Sequence, residues 1–122
     1  MIYTDFDMMK SIVSKPWGSF QVIEEGDKYT LKRLVVKKGG KLSLQSHNHR
    51  SEHWVVVQGE AEVTLGDKNL RLQENENIYI PVKTKHCLAN KKEKELIIIE
   101  VWFGDTLEEE DIIRYQDIYD RK

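Results

Sequence analysis

The sequence predicts an all-β fold, either a sandwich or a barrel, and three observations support this prediction. From about residue 19 to residue 102, short runs of strand-forming residues alternate with turn residues, which is the pattern of antiparallel β-domains. The segments 55–57 and 96–99 are apolar at every position, as expected for inner strands that are covered on both faces. Gly66-Asp67 separates two further segments and supplies the positive φ angles that a tight hairpin needs.

Nine strands are predicted in this part of the chain. They cover residues 20–24, 30–37, 41–46, 53–57, 60–65, 68–72, 77–80, 86–90 and 95–103. After them, Thr106 suits a helix N-cap and the acidic run 108–110 suits a first helical turn, so we expect a short C-terminal helix. A length of 122 residues fits one domain, which we place at 15–122, after an N-terminal arm at 1–14.

The composition excludes several classes of protein. The formal net charge is −2, so no global field attracts nucleic acid or acidic membranes. Cys87 is the single cysteine, which rules out an intrachain disulfide and favours a reducing compartment. The first residues contain no apolar signal segment, and the longest apolar runs have only the length of a strand. We therefore expect a cytoplasmic protein that binds neither nucleic acid nor membranes.

A cluster of histidines around one glutamate predicts a metal site. In an extended strand, His47 and His49 project from the same face, and a tight turn after His49 would return Glu52 toward them. His86 lies far along the chain, but a later strand could bring it to the same interior. Surface or hydrogen-bonded histidines are the alternative, although unpaired polar side chains inside a small barrel are costly. The pattern favours one divalent ion, with Zn²⁺ as the first choice and Fe²⁺, Mn²⁺, Co²⁺ or Ni²⁺ as alternatives.

The residues around His86 resemble the second motif of the cupin family, G-x5-P-x-G-x2-H-x3-N. Pro81, His86 and Asn90 stand at its proline, histidine and asparagine, whereas Asn75 and Lys83 replace its two glycines. The resemblance implies a double-stranded β-helix, the jelly-roll barrel of cupins, with a metal ion inside.

The first cupin motif, G-x5-H-x-H-x3,4-E-x6-G, fits in two registers that share His47 and Glu52. Counted from Gly39, the motif places Gln45 at its first histidine and His47 at its second. Counted on the histidines alone, His47 and His49 fill both places. Type I mannose-6-phosphate isomerases bind zinc through Gln, His, Glu and His, so the resemblance leaves the fourth ligand open between Gln45 and His49. We favour His49, because imidazole is the better ligand.

A narrower resemblance covers residues 15–121. The segments 15–20, 42–57, 79–81, 99–101 and 111–114 are similar to type II mannose-6-phosphate isomerases. In that family this domain usually follows a mannose-1-phosphate guanylyltransferase part in one bifunctional chain. Residues 1–14 are too few for a nucleotide-binding domain, so we expect a free-standing isomerase-type domain. The segment 103–108 departs from the Tyr-Leu-Gly-Glu-type stretch of the family, which leaves the identity of the sugar open.

The resemblance implies a metal-dependent enzyme that interconverts an aldose phosphate and a ketose phosphate, with mannose 6-phosphate and fructose 6-phosphate as the first guess. It also implies a homodimer, because cupins commonly pair. The alternatives are a non-catalytic sugar- or sugar-phosphate-binding cupin and, less favoured, a metal-dependent dioxygenase, since a fold does not determine chemistry.

Such a reaction needs a group that shuttles a proton and cations that hold a phosphate. The candidates for proton transfer are Lys85, His53 and Lys32. The candidates for substrate binding are Arg50, Lys83, Arg33 and Arg114, with Trp17 as an aromatic wall of the sugar pocket.

Overall fold

A computed structural model describes residues 11–119, and within them the chain forms eleven β-strands. The strands are β1 Ile12–Lys15, β2 Gly18–Glu25, β3 Tyr29–Val36, β4 Leu44–Ser46, β5 Ser51–Gln58, β6 Ala61–Leu65, β7 Lys68–Leu72, β8 Asn77–Ile80, β9 His86–Ala89, β10 Leu96–Phe103 and β11 Ile113–Gln116. All nine predicted strands are confirmed. The segment predicted at 41–46 is shorter, because only a single bridge from Lys41 to Ala89 precedes β4.

Two antiparallel sheets form the domain. One has six strands in the order β1-β2-β3-β10-β5-β8, and the other has five in the order β11-β4-β9-β6-β7. This is the double-sheet architecture that the cupin resemblance implies. Strand β1 pairs with β2 along its whole length and spans the boundary predicted at residue 15. The first ten residues of the predicted arm lie outside the described residues.

The predicted C-terminal helix is wrong. Residues 104–112 form turns and irregular backbone, and residues 113–116 form β11, which pairs with β4. Tertiary contacts override the local helical signal, because Arg50 Nη1 donates to the carbonyl oxygen of Glu108 and His47 Nδ1 to that of Asp111. Those oxygens are among the acceptors that a helix would use. In residues 11–119 no helix is long and apolar enough to cross a membrane.

The core lies between the sheets and follows the two-residue period of the strands. Val36, Val56, Val63, Leu88 and Ile98 are all fully buried there. Toward one end of the same interior the inward positions become polar, and three neighbouring strands of the larger sheet each place one charged residue inside. These residues are Lys32 on β3, Glu52 on β5 and Glu100 on β10. Since charged side chains are costly to bury, this end of the barrel marks the candidate site.

Candidate metal centre

Three strands of the two sheets bring His47, Glu52 and His86 together. His47 directly follows β4, Glu52 is the second residue of β5, and His86 is the first residue of β9. The backbone N–H of Lys83 donates to the carbonyl oxygen of His47 at 2.7 Å, which fixes the turn before His86 against the end of β4. The predicted ligands that both motif registers share therefore converge.

The ligand atoms of this group lie close together in a buried position. His47 Nε2 is 3.0 Å from Glu52 Oε2 and 3.2 Å from His86 Nε2, while His86 Nε2 is 3.9 Å from Glu52 Oε1. All three side chains are buried: His47 and His86 are each 2% exposed, and Glu52 is 3% exposed. One nitrogen or oxygen atom from each lies within 4.8 Å of the others, so a single cation could contact all three.

Hydrogen bonds to backbone carbonyls set the orientation of both imidazole rings. His47 Nδ1 is 2.7 Å from the carbonyl oxygen of Asp111, and His86 Nδ1 is 2.8 Å from that of Thr84. A carbonyl oxygen only accepts, so we assign the ring hydrogen to Nδ1 in each case. Burial lowers the pKa of His86 despite the nearby Glu52 charge, which favours its neutral form. The Nε2 atoms then present lone pairs to each other and to the carboxylate.

This donor set fits a divalent metal ion. Two neutral imidazole nitrogens and a carboxylate are ligands that Zn²⁺ and related ions accept. The carbonyl partners on Nδ1 are the supporting contacts that hold metal-binding histidines in one tautomer. A cation between the three groups would stabilise lone pairs that otherwise repel one another. The structure thus supports His47, Glu52 and His86, the ligands that both motif registers share, as a site that could bind a metal ion.

The carboxylate of Glu52 is held as an anion by its neighbours. Arg50 Nε donates to Glu52 Oε2 at 2.9 Å, and Trp54 Nε1 donates to Oε1 at 2.9 Å. Burial alone would raise the pKa of Glu52, but the contact with His47 and the charge of Arg50 bring it well below its usual value. Arg50 Nη2 also lies 3.2 Å from His47 Nε2, so the guanidinium adds positive charge beside the ligands.

The structure separates the two candidates for the fourth ligand. His49 is exposed, and its backbone N–H donates to a carboxylate oxygen of Asp111 at 2.9 Å. Gln45 pairs in register with His86 across β4 and β9 and lines the same pocket. The preference for His49 is therefore not supported, because β4 ends at residue 46 and the chain bends at 48 and 49. The same-face argument for His47 and His49 requires a strand that does not continue.

A pocket of about 100 Å³ opens beside the ligands. This is several times the space that one water molecule requires. Its aromatic lining consists of Trp17, Phe20, Trp54 and Trp102. Its charged lining, besides Glu52 and His86, consists of Lys15, Lys32, Arg50, Glu100, Glu109 and Arg114.

Only one of the three residues predicted for proton transfer lines this pocket. Lys32 is buried on the inner face of β3. Lys85 is exposed, with its ammonium over the ring of Tyr115. His53 is also exposed, on the outer face of β5, where its Nε2 lies 3.2 Å from Asn77 Oδ1. The structure therefore places Lys85 and His53 outside the candidate site, because His53 is on the outer face of β5 and Lys85 is exposed in the turn before β9.

The predicted substrate-binding residues divide in the same way. Arg50, Arg114 and Trp17 line the pocket. Lys83 is exposed and has a φ of 65°, and its backbone rather than its side chain contacts the site. Arg33 occupies the position after Lys32 and so faces the opposite side of β3. Neither Lys83 nor Arg33 lines the pocket.

Two residues that the sequence did not single out complete the pocket. Glu100 is 6% exposed, and burial together with the charge of Glu52 raises its pKa well above the usual value. Trp102 Nε1 donates to Glu100 Oε1 at 2.8 Å, and the Trp102 ring lies 3.5 Å from the guanidinium carbon of Arg50. A charged residue at an inward position of an apolar strand was the available signal, since Ile98, Glu100 and Trp102 share one face of β10.

Comparison with known proteins relates this centre to a family. Residues 4–117 match the family described as mannose-6-phosphate isomerase C-terminal. The chain belongs to this family. Among relatives, mannose-1-phosphate guanylyltransferase ManC of Salmonella typhimurium is 49% identical over 109 residues, or 89% of this chain and 23% of ManC. The alginate biosynthesis protein AlgA of Pseudomonas aeruginosa is 48% identical over the same shares. The chain thus spans 23% of the length of these relatives.

Solved structures confirm the cupin fold of this member of the mannose-6-phosphate isomerase C-terminal family. A double-stranded β-helix protein of Klebsiella pneumoniae superposes with a TM-score of 0.75 at 16% identity, over 95% of this chain and 97% of that one. Oxalate decarboxylase of Lactobacillus farciminis superposes with a TM-score of 0.77 at 19% identity, over 88% and 34% respectively. At such identities the similarity shows the fold alone.

Proposed function

We propose that this domain is a metal-dependent sugar-phosphate isomerase that interconverts an aldose phosphate and a ketose phosphate. Mannose 6-phosphate and fructose 6-phosphate are the first pair to test. The observation that carries the proposal is the buried group His47, Glu52 and His86 beside a polar and aromatic pocket, in a member of the mannose-6-phosphate isomerase C-terminal family. Pockets that bind small molecules combine apolar walls with a few fixed polar groups in this way.

The ligand set supports zinc as the first metal to test. His47 Nε2, His86 Nε2 and a carboxylate oxygen of Glu52 would hold the ion, and Gln45 is the candidate for a fourth ligand. When bound, such an ion supplies Lewis-acid polarisation of the sugar oxygens. Arg50 adds a fixed positive charge beside Glu52, and the aromatic face of Trp17 suits the apolar side of a sugar ring.

Aldose–ketose isomerisation moves a proton between neighbouring carbons, so one side chain must accept the proton and return it. Three carboxyl groups line the pocket, those of Glu52, Glu100 and Glu109. Glu52 is a metal ligand in this proposal, and Glu109 is ion-paired to Lys32 at 2.5 Å. Among these three carboxyl groups we therefore assign proton transfer to Glu100, which projects from β10 between Lys32 and Trp54 in the strand register.

The decisive experiment combines metal analysis with turnover. Bound metal is measured by elemental analysis, and fructose 6-phosphate formation from mannose 6-phosphate is followed with and without a chelator. We expect one metal per chain, and turnover that the chelator abolishes. Stoichiometric metal without turnover of any hexose or pentose phosphate would favour a non-catalytic sugar-binding cupin instead.

The assignment of Glu100 has its own test. Glu100→Gln keeps the acceptor for Trp102 but cannot shuttle a proton, so kcat should fall by about 10²-fold or more while metal content is unchanged. Glu110→Gln, at an exposed position of the 104–112 segment, is the matched control for losing one carboxylate. A Glu100→Gln variant with wild-type kcat would exclude Glu100 from proton transfer.

A further inference from the structure

The ammonium group of Lys32 has an unusual environment for a buried cation. It lies 3.7 Å from the ring centroid of Trp102 and 4.2 Å from that of Phe20, so two aromatic faces stabilise its charge. Its carboxylate partner is Glu109, at 2.5 Å. The Lys32 side chain is 4% exposed, whereas that of Glu109 is 59% exposed. In this ion pair the Lys32 ammonium is buried, whereas the Glu109 carboxylate lies at the surface and can rotate into solvent.

Hydrogen bonds from Arg50 and His47 hold the backbone around Glu109 in place. Arg50 Nη1 donates to the carbonyl oxygen of Glu108 at 3.1 Å, and the carbonyl oxygen of Asp111 accepts from His47 Nδ1. The backbone at Gly104 packs so closely that a Cβ there would lie 2.3 Å from the carbonyl oxygen of His49. Glu109 can therefore leave Lys32 by rotation of its own side chain, without movement of the 104–112 segment.

Among the three carboxyl groups that line the pocket, Glu109 is the one whose place beside a cation another anion can take. The Glu52 carboxylate is bound by Arg50 and Trp54 and lies on the side of the metal ligands. Glu100 lies opposite Lys32 in the strand register, but its Oε1 accepts from Trp102. A second ammonium, that of Lys15, lies 5.8 Å from the ring of Phe20, the same ring that Lys32 contacts. Two cations thus lie near the same aromatic ring, and both line the pocket together with Glu109.

We infer that Lys32 is the subsite for the phosphate group of the substrate, with Lys15 near the same Phe20 ring as a second cation, and that Glu109 is its internal competitor. On binding, a phosphate dianion replaces the Glu109 carboxylate at the Lys32 ammonium, and the carboxylate turns into solvent. No covalent bond changes in this exchange. The inference rests on the proposed function for the identity of the ligand, and it assigns Lys32 to binding rather than to proton transfer. It explains why a buried lysine is paired with an exposed glutamate, since a buried partner could not give way.

The test is anion binding measured without turnover. Binding of inorganic phosphate and of mannose 6-phosphate is measured by calorimetry on chelator-treated protein, so that contacts between phosphate and a metal ion do not contribute. Mannose serves as the uncharged probe. Glu109→Gln should bind both anions about fivefold more tightly than wild type, the scale of a partly exposed ion pair, with no change for mannose. Glu110→Gln, which removes one charge from the same segment, should bind them like wild type.

Replacement of the Lys32 cation should change the phosphate affinity in the opposite direction. Lys32→Met keeps most of the apolar stem and should weaken phosphate binding at least tenfold, and Lys15→Met should weaken it by less. If Lys32→Met fails to fold, Glu109→Gln still decides, because its side chain is mostly exposed. Equal or weaker phosphate binding by Glu109→Gln relative to Glu110→Gln would overturn the inference. If the variants show the expected phosphate affinities but the protein does not turn over any sugar phosphate, the result counts against the proposed function alone. If the protein is an active isomerase but the variants bind phosphate like wild type, the result counts against this subsite alone.

Discussion

The four histidines of the chain allow a matched test of the metal centre. His47 and His86 lie in the ligand group, whereas His49 and His53 are exposed. The perturbation is substitution of each histidine by alanine, followed by titration with zinc. Only His47→Ala and His86→Ala should lose zinc-dependent stabilisation. Both will also lower the stability of the metal-free protein, because each removes a buried ring and its bond to a carbonyl, so the zinc-induced change is compared within each variant.

The expected magnitude follows from linkage between binding and folding. A ligand at 100 times its dissociation constant stabilises the native state by about 2.7 kcal/mol. The entropy of unfolding is about 2.1 cal/mol/K per residue, which for a chain of 122 residues gives about 0.26 kcal/mol/K. Dividing the stabilisation free energy by this entropy predicts that zinc raises the Tm of the wild type by about 10 °C at that concentration. Loss of one of three ligands should reduce the rise to a small fraction of this value.

The assay is differential scanning fluorimetry with and without zinc, with the metal content of the isolated protein measured in parallel. We expect rises in Tm close to that of the wild type for His49→Ala and His53→Ala, and little or no rise for the other two variants. If His47→Ala and His86→Ala keep the zinc-induced rise and the stoichiometry of the wild type, the ligand assignment is refuted. Loss of the rise in His49→Ala would show that the bend at residues 48 and 49 does not describe the metal-bound protein.

Three further outcomes follow from the core, the ligand carboxylate and a surface turn. Ile98→Ala empties a fully buried position and should lower the free energy of unfolding in urea by about 2–5 kcal/mol. Trp54→Phe removes the N–H donated to Glu52 and should cost about 1–3 kcal/mol and weaken zinc binding; unchanged zinc affinity would show that this bond does not orient the ligand. The N–H of Gly59 lowers the pKa of Glu74. The ionised Glu74 carboxylate therefore stabilises the fold at pH values above the usual pKa of a glutamate, and this stabilisation is lost as the pH falls through the lowered pKa. Glu74→Gln should therefore have a lower Tm than wild type near neutral pH and the same Tm in acid, and a pH-independent difference would contradict this.

Much of the fold could be predicted from sequence because it depends on local signals. The two-residue alternation on the strands and the glycine-containing turns identify nine of the eleven strands in residues 11–119. The sequence does not predict β11, because the acidic run 108–110 just before it is a stronger local signal for a helix. What decides that segment is the contact of residues 108–111 with Arg50 and His47, about 60 residues earlier in the chain. Contacts at that separation leave no periodic trace in the sequence.

The difference between local signals and long-range contacts also explains which metal ligands could be predicted from the sequence. His47 and Glu52 could be predicted because both cupin motif registers agree on them, and His86 because it ends a well-defined turn. The preference for His49 over Gln45 rests on imidazole being the better ligand, and it needs a strand through residues 47–49 to place His49 on the same face as His47. The strand ends at 46, and the bend is stabilised by Asp111, whose carboxylate accepts the N–H groups of residues 48 and 49. A carboxylate more than 60 residues away thus holds His49 in an exposed bend, whereas Gln45 lines the pocket.

The inward charges of the larger sheet show what strand periodicity can and cannot establish. Lys32, Glu52 and Glu100 each occupy an inward position between buried neighbours. Alternation alone therefore marks all three as buried charges that need a partner or a function. It does not show that they lie side by side, because that depends on the register of β10 against β3 and β5. With a register shifted by two residues on β10, Lys32 would face an isoleucine or a tryptophan and not Glu100. Individual site residues can therefore be identified by their strand face, but their pairing, and with it the chemistry of the pocket, depends on how the strands align.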